Sequence, residues 1–206
     1  MNIGFDLDKI FINYPPLVPS KIIDLFYKGK PNGSLKYRIP SRIEQIIRIF
    51  SHYPLFRPPI IHNMDYVRNL ALANKNKSST FFLQNKTSSH NNPEKVLDKY
   101  YLISSRFSFL EKKTSDLIKR HNLDKIFNTM YFNYQNRQPH EFKNEIVKKL
   151  NLDMYVDDDF QLLEYLADKN PKTKFFWLNK KVSKPLKENL FAIKNISEMF
   201  TPLSGV

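Results

Sequence analysis

The sequence predicts an α/β fold, a parallel sheet with helices on both faces, interrupted early by a small, mainly helical, basic insertion. Three observations lead there. From residue 93 onward, short apolar runs alternate with stretches of helical periodicity, the pattern that builds a parallel sheet. The chain opens on an apolar run, Asn2 to Ile12, that carries two carboxylates, Asp6 and Asp8. Between residues 14 and 60, prolines and basic residues replace that alternation.

The opening run reads as a strand that ends at Asp6. Side chains at i and i+2 share a face of a strand, and an unpaired buried carboxylate is very costly. A strand stopping at Asp6 lifts both acids out at its C-terminal edge. Tyr14-Pro15-Pro16 then halts regular structure, since proline lacks a donor and restricts its predecessor. Ser20 can cap a short helix bearing Ile22, Ile23 and Phe26. Ser41 with Glu44 forms a second cap, a capping box, ahead of Ile43, Ile46, Ile47 and Phe50 at helical spacing.

A helix follows over 62–74, and the polar stretch from Asn74 to Asn92 reads as a mobile loop. A helix near 93–98 leads into a buried strand at 99–106 that ends in hydroxyls, Ser104 and Ser105. Then come a helix at 108–121, a strand at 127–132, a helix at 140–150 and a strand at 153–156 closed by Asp157-Asp158-Asp159. A further helix, a strand at 173–178, a strand near 190–193 and a final helical turn complete the chain.

Composition narrows the classes. The 206 residues are 41% hydrophobic and 14% aromatic, enough for a real core, so wholesale disorder is excluded. There is no stretch of 18 apolar residues and no signal-peptide pattern, and cysteine is absent, which removes disulfides and thiolate metal sites. These features fit a cytoplasmic protein without a membrane span. The net charge of +13 favours anionic partners, and nucleic acid is one of them. Lysine and asparagine are abundant throughout, so biased genomic composition explains the excess equally well. Residues 14–60 hold eight basic side chains against Asp24 and Glu44, a local excess of +6.

In an open α/β sheet, ligands bind at the carboxyl ends of the strands. Asp6 and Asp8, Ser104, and Asp157 with Asp158 all follow strands, and Lys143 lies in the segment feeding the acidic one. Lys148 and Lys149 are alternative lysines. In this order and spacing the chain resembles the haloacid dehalogenase-like superfamily of phosphohydrolases, on a Rossmann-like sheet. Asp6-Leu7-Asp8 matches its first motif, Ser104 the second, Lys143 the third and Asp157-Asp158 the fourth. The resemblance makes residues 1–13 and 61–206 the core and 14–60 a small basic cap.

The resemblance also implies roles. Asp6 is the expected nucleophile and Asp8 the expected general acid and base. A magnesium ion is expected on Asp6, the Asp8 backbone carbonyl and Asp157 or Asp158, since hard cations take oxygen ligands. Ser104, Ser105 and Lys143 are expected on the phosphate. Arg38, Arg42, Arg57 and Arg106 are candidates for the substrate, Arg106 also for a nearby acid. Lys9 and Ile10 replace the glycine and threonine common in the family. The expected activity is hydrolysis of a phosphomonoester, with a nucleotide or other small phosphorylated metabolite as substrate. Two alternatives stay open: a phosphatase acting on nucleic-acid ends, and a non-catalytic basic nucleic-acid-binding protein on the same fold. The five histidines read as incidental, and Trp177 as core.

Overall fold

A computed structural model describes residues 1–15, 35–84, 97–179 and 184–201. Seven strands form one sheet: β1 (Asn2–Phe5), β2 (Lys99–Ser104), β3 (Thr129–Phe132), β4 (Met154–Asp157), β5 (Lys174–Leu178), β6 (Lys184–Lys187) and β7 (Leu190–Ile193). The strand order is β3-β2-β1-β4-β5-β7-β6, and every pairing is parallel except the antiparallel β6–β7 edge. Among the described residues the α-helices are α1 (Arg42–Ser51), α2 (Ile61–Gln84), α3 (Glu111–Arg120), α4 (Pro139–Leu150) and α5 (Phe160–Lys169).

Strand periodicity divides the core between two faces. Ile3, Phe5, Tyr100, Leu102, Val156 and Phe176 pack with Met64 and Val67 of α2 and Leu117 and Ile118 of α3. Ile103, Tyr155 and Phe175 pack on the other face with Phe142 and Ile146 of α4 and Leu162 and Leu163 of α5. Helices therefore cover both sides, as the alternation predicts. Gly4 lies where β1 is squeezed from that second face. A Cβ there would come within 2.7 Å of Leu152 and 2.8 Å of the Tyr155 ring.

Local signals explain most boundaries. Ser41 accepts from the Glu44 amide while Glu44 accepts from the Ser41 amide, so the capping box forms as read. Asn151 takes the left-handed conformation that ends α4. The short helix expected behind Ser20 lies outside the described residues, as do residues 93–96 of the helix expected near 93–98, while Leu97 and Asp98 are not helical. Two expectations change. Helix α2 runs to Gln84, so much of the stretch read as a mobile loop is helical, because Asn74–Gln84 contains no proline or glycine to stop it. Strand β6 carries no apolar alternation and was invisible to periodicity.

Beyond Asp6 the chain turns tightly, with Leu7, Ile10, Phe11 and Ile12 fully buried. Its two sides then pair across the insertion: the Asn13 amide donates to the Pro58 carbonyl and the Ile60 amide to that of Phe11. Helix α1 exposes Ile43, Ile46, Ile47 and Phe50, and the residue it buries is Arg48. Among the described residues, no helix is long and apolar enough to cross a membrane.

Candidate active site

The sheet order reverses at β1: the chain passes to β2 and β3 on one side and returns to β4 and β5 on the other. A crevice opens at the carboxyl ends of the strands flanking such a reversal. Phe5 pairs with Leu102 on one side and Val156 on the other, so Asp6 emerges between the ends of β2 and β4. Ser104, Asp6 and Asp157 thus stand on three neighbouring strands.

Lys143 joins two of them. From α4 its ammonium donates to Asp6 Oδ1 at 2.7 Å and to Asp157 Oδ2 at 2.6 Å, and it is 2% exposed. The Tyr155 hydroxyl also donates to Asp157 Oδ2, and the Asp159 amide to Asp157 Oδ1. Asp6 Oδ2 accepts from the Asp8 amide at 2.9 Å. Carboxylate oxygens of Asp6, Asp157 and Asp158 lie within 4.8 Å of one another. Burial outweighs the Lys143 ammonium and, with Asp157 and Asp8, pushes the Asp6 carboxyl up to about 7. Burial, with Asp157 and Asp6, also holds Asp158 well above the usual range. Burial disfavours the charged form of Lys143, but Asp157 and Asp6 outweigh it and keep the side chain firmly cationic. Among the described residues these three acids form an all-oxygen donor set that suits a hard divalent cation.

Asp8 belongs to a different network. Arg106 donates to it twice, Nε to Oδ2 at 2.9 Å and Nη2 to Oδ1 at 2.7 Å. Arg57 Nη1 lies 3.3 Å from Oδ1. Burial would raise the Asp8 carboxyl, yet Arg106 and then Arg57 hold it well below the usual carboxylate range. Arg57 Nη2 also meets His52 Nε2 at 2.6 Å. A guanidinium can only donate, so the network assigns the His52 proton to Nδ1, which donates to the Arg48 carbonyl at 2.6 Å. Burial, reinforced by Arg106 and Arg57, keeps this imidazole neutral. His52 therefore has a definite place, contrary to the reading of the histidines as incidental.

The Ser104 hydroxyl has no partner among the described residues although the residue is 1% exposed and lines the central cavity. Buried hydroxyls are normally paired, so this one is open to a water or a ligand in the cavity. The cavity encloses about 1040 Å³, at the upper end for small-molecule sites. Asp6, Asp8, Ser104, Ser105, Arg106, Lys143, Asp157 and Asp158 line it, as do Arg38 and Tyr37 of the insertion.

Arg42 does not join them: it is exposed near the start of α1 and outside the cavity lining. Arg38 reaches the cavity while also pairing with Glu44 at 2.7 Å. Arg48 and Trp177, neither of them among the site candidates, line it too. Trp177 donates to the Asp158 carbonyl at 3.0 Å, which takes it beyond a core role. Tyr37 ties the insertion to the core, its hydroxyl donating to Asp159 at 2.7 Å and its amide to the Gln138 side chain at 2.9 Å.

Lys9, directly after Asp8, adopts a left-handed backbone with φ 58°. That conformation costs a side-chain-bearing residue about 1–2 kcal/mol, which glycine would not incur.

No family model matches this chain, and no curated protein matches its sequence.

Proposed function

We propose that this chain is a magnesium-dependent phosphomonoester hydrolase of the haloacid dehalogenase-like superfamily, acting through an aspartyl-phosphate on a small phosphorylated metabolite. One observation carries the reading. Asp6, at a switch-point strand end, shares the Lys143 ammonium with Asp157 beside a buried hydroxyl, Ser104, that lacks a partner among the described residues. A nucleophile, a fixed cation and a waiting oxygen ligand are the parts that phosphoryl transfer requires.

Asp6 attacks phosphorus, the ester P–O bond breaks, and the departing oxygen takes a proton. Water then attacks the phosphorus of the aspartyl-phosphate, the bond to Asp6 breaks, and inorganic phosphate leaves. Lys143 helps hold Asp6 as an anion and meets phosphoryl oxygens together with Ser104 and Ser105. Asp8, a carboxylate in the grip of Arg106 and Arg57, is ready to take the proton of the attacking water. Its donation to the departing oxygen in the first half requires that grip to loosen. Asp6, Asp157 and Asp158 with the Asp8 carbonyl would hold the magnesium ion, which supplies charge neutralisation between the anionic nucleophile and phosphate.

The insertion fits the part of a substrate-selecting cap, because its two ends pair side by side and Tyr37, Arg38 and Arg48 line the cavity. The test is phosphate release from aryl phosphate, sugar phosphates, nucleotides and 3′-phosphorylated oligonucleotides, with magnesium or chelator. Release by wild type that is lost with chelator and in Asp6→Asn supports the reading. No release from any ester, or release unchanged in Asp6→Asn, overturns it.

A further inference from the structure

Four non-glycine residues among those described adopt positive φ: Lys9, Asn122, Asn136 and Asn151. Asparagine tolerates this conformation through its short polar side chain. Lysine has no such relief. Strain of this kind persists where the surroundings enforce it, and it gathers at functional sites. Lys9 is the one of the four that lines the central cavity.

The neighbouring cations are committed. Lys143 bonds two carboxylates, Arg106 bonds Asp8 and Thr114, and Arg57 meets Asp8 and His52. The Lys9 ammonium instead stands 3.8 Å from Asp158 Oδ2, beyond hydrogen-bond reach, and 4.6 Å from the Tyr14 ring centroid. Its side chain is 33% exposed. Moving it from so loose a pair to a ligand anion gives up little. The cavity also has far more room than one phosphoryl group fills, and Tyr14, Trp177 and Lys194 line it along with Lys9.

We infer that Lys9 is a specificity-determining residue, holding a second anionic group carried by the substrate beyond the phosphoryl that is transferred. The substrate class is then a phosphomonoester whose alcohol portion bears another phosphate or a carboxylate. This rests on the hydrolase reading for the transferred group, but the role of Lys9 can be tested apart from it.

The experiment compares wild type, Lys9→Met and Lys9→Arg on a sugar monophosphate, a sugar bisphosphate and a phosphoglycerate. The ratio of kcat/KM for either ester bearing a second anionic group over the monophosphate should fall roughly ten- to a hundredfold in Lys9→Met, the size of one charge-assisted hydrogen bond. The loss should appear mainly in KM, and Lys9→Arg should recover part of it. A fall for the bisphosphate alone identifies phosphate as the second group, and for the phosphoglycerate alone, carboxylate. Equal losses on all three esters, or none, overturn the inference.

Calorimetric titration of the same ligands into Asp6→Asn, with and without Lys9→Met, gives a readout without turnover. If wild type hydrolyses nothing, the hydrolase reading fails, yet weaker bisphosphate or phosphoglycerate binding in the Lys9→Met background still supports the role of Lys9. Binding unchanged by Lys9→Met, or absent altogether, overturns it.

Discussion

Arg106 holds Asp8 by two hydrogen bonds of 2.9 and 2.7 Å, so the acid proposed to shuttle protons begins as a locked carboxylate. This fork geometry is specific to arginine. Removing it in Arg106→Leu should cost roughly 2–4 kcal/mol in urea unfolding at pH 7, less than a wholly abandoned buried charge because Arg57 remains. A depressed carboxyl contributes stability above its ordinary value of 3.8 and loses it as pH falls further. Wild type should therefore lose stability below pH 3.8 more steeply than Arg106→Leu. Parallel acid curves would show that the contact does not hold Asp8.

If Asp8 also protonates the departing oxygen, the need for it depends on the ester. Asp8→Asn should slow hydrolysis of alkyl phosphates by about 10²–10⁴-fold. Aryl phosphates, whose phenolate leaves unassisted, should lose much less in that step. Equal losses on both would remove Asp8 from the first half-reaction.

The acids around Asp6 tie stability to pH and to metal. Burial raises the Asp6 carboxyl from 3.8 to about 7, so the folded chain keeps a proton that the unfolded chain gives up. That contribution is complete below pH 3.8 and is lost as pH rises through about 7, with a slope of at most about 1.4 kcal/mol per pH unit. In chelator the Tm should fall between pH 5 and 8. Magnesium should raise the Tm more at pH 8, where Asp6 has largely given up its proton, and Asp158→Asn should shrink that rise. A magnesium effect that is absent, or the same at both pH values, would argue against a cation on these carboxylates.

Ser104→Ala separates a ligand contact from a structural one. A hydroxyl that bonds nothing in the protein gives up no internal hydrogen bond, so stability should stay within about 0.5 kcal/mol. Phosphate affinity, measured by inhibition, should weaken by roughly tenfold. A large stability loss without a phosphate effect would assign Ser104 to the core.

Lys143→Met should behave in the opposite way. It leaves Asp6 and Asp157 without their shared cation, and removing one partner of a buried pair costs about 3–5 kcal/mol. The chain should unfold at lower urea, and a second substitution, Asp157→Asn, should recover part of the loss. Near-wild-type turnover in Lys143→Met would mean that the phosphate is held elsewhere.

What the sequence made legible was local or set by strand ends. Ser41 and Glu44 announce their capping box within four residues, and the positions of Asp6, Ser104 and Asp157 follow from where apolar runs stop. Partnerships across the chain were not legible. Nothing near His52 indicates that its ring will accept from Arg57, and Arg106, read as a candidate partner of a nearby acid, carries no local sign that the acid is Asp8. The left-handed turn at Lys9 was hidden because lysine gives no signal for it, unlike the asparagines at the other positive-φ positions.

Strand β1 is an interior strand of the sheet, flanked by strands that begin at Lys99 and Met154. During synthesis the residues of β1 precede both flanking strands by a long interval. Until β2 follows, the segment around Asp6 is an apolar strand with two open edges, and until β4 follows one edge stays open, the kind of surface that invites aggregation. The pairings that enclose it are long-range, so folding should be slow for a chain of this size. The carboxylate proposed as the nucleophile meets Lys143, Asp157 and Asp158 only after those later residues have emerged.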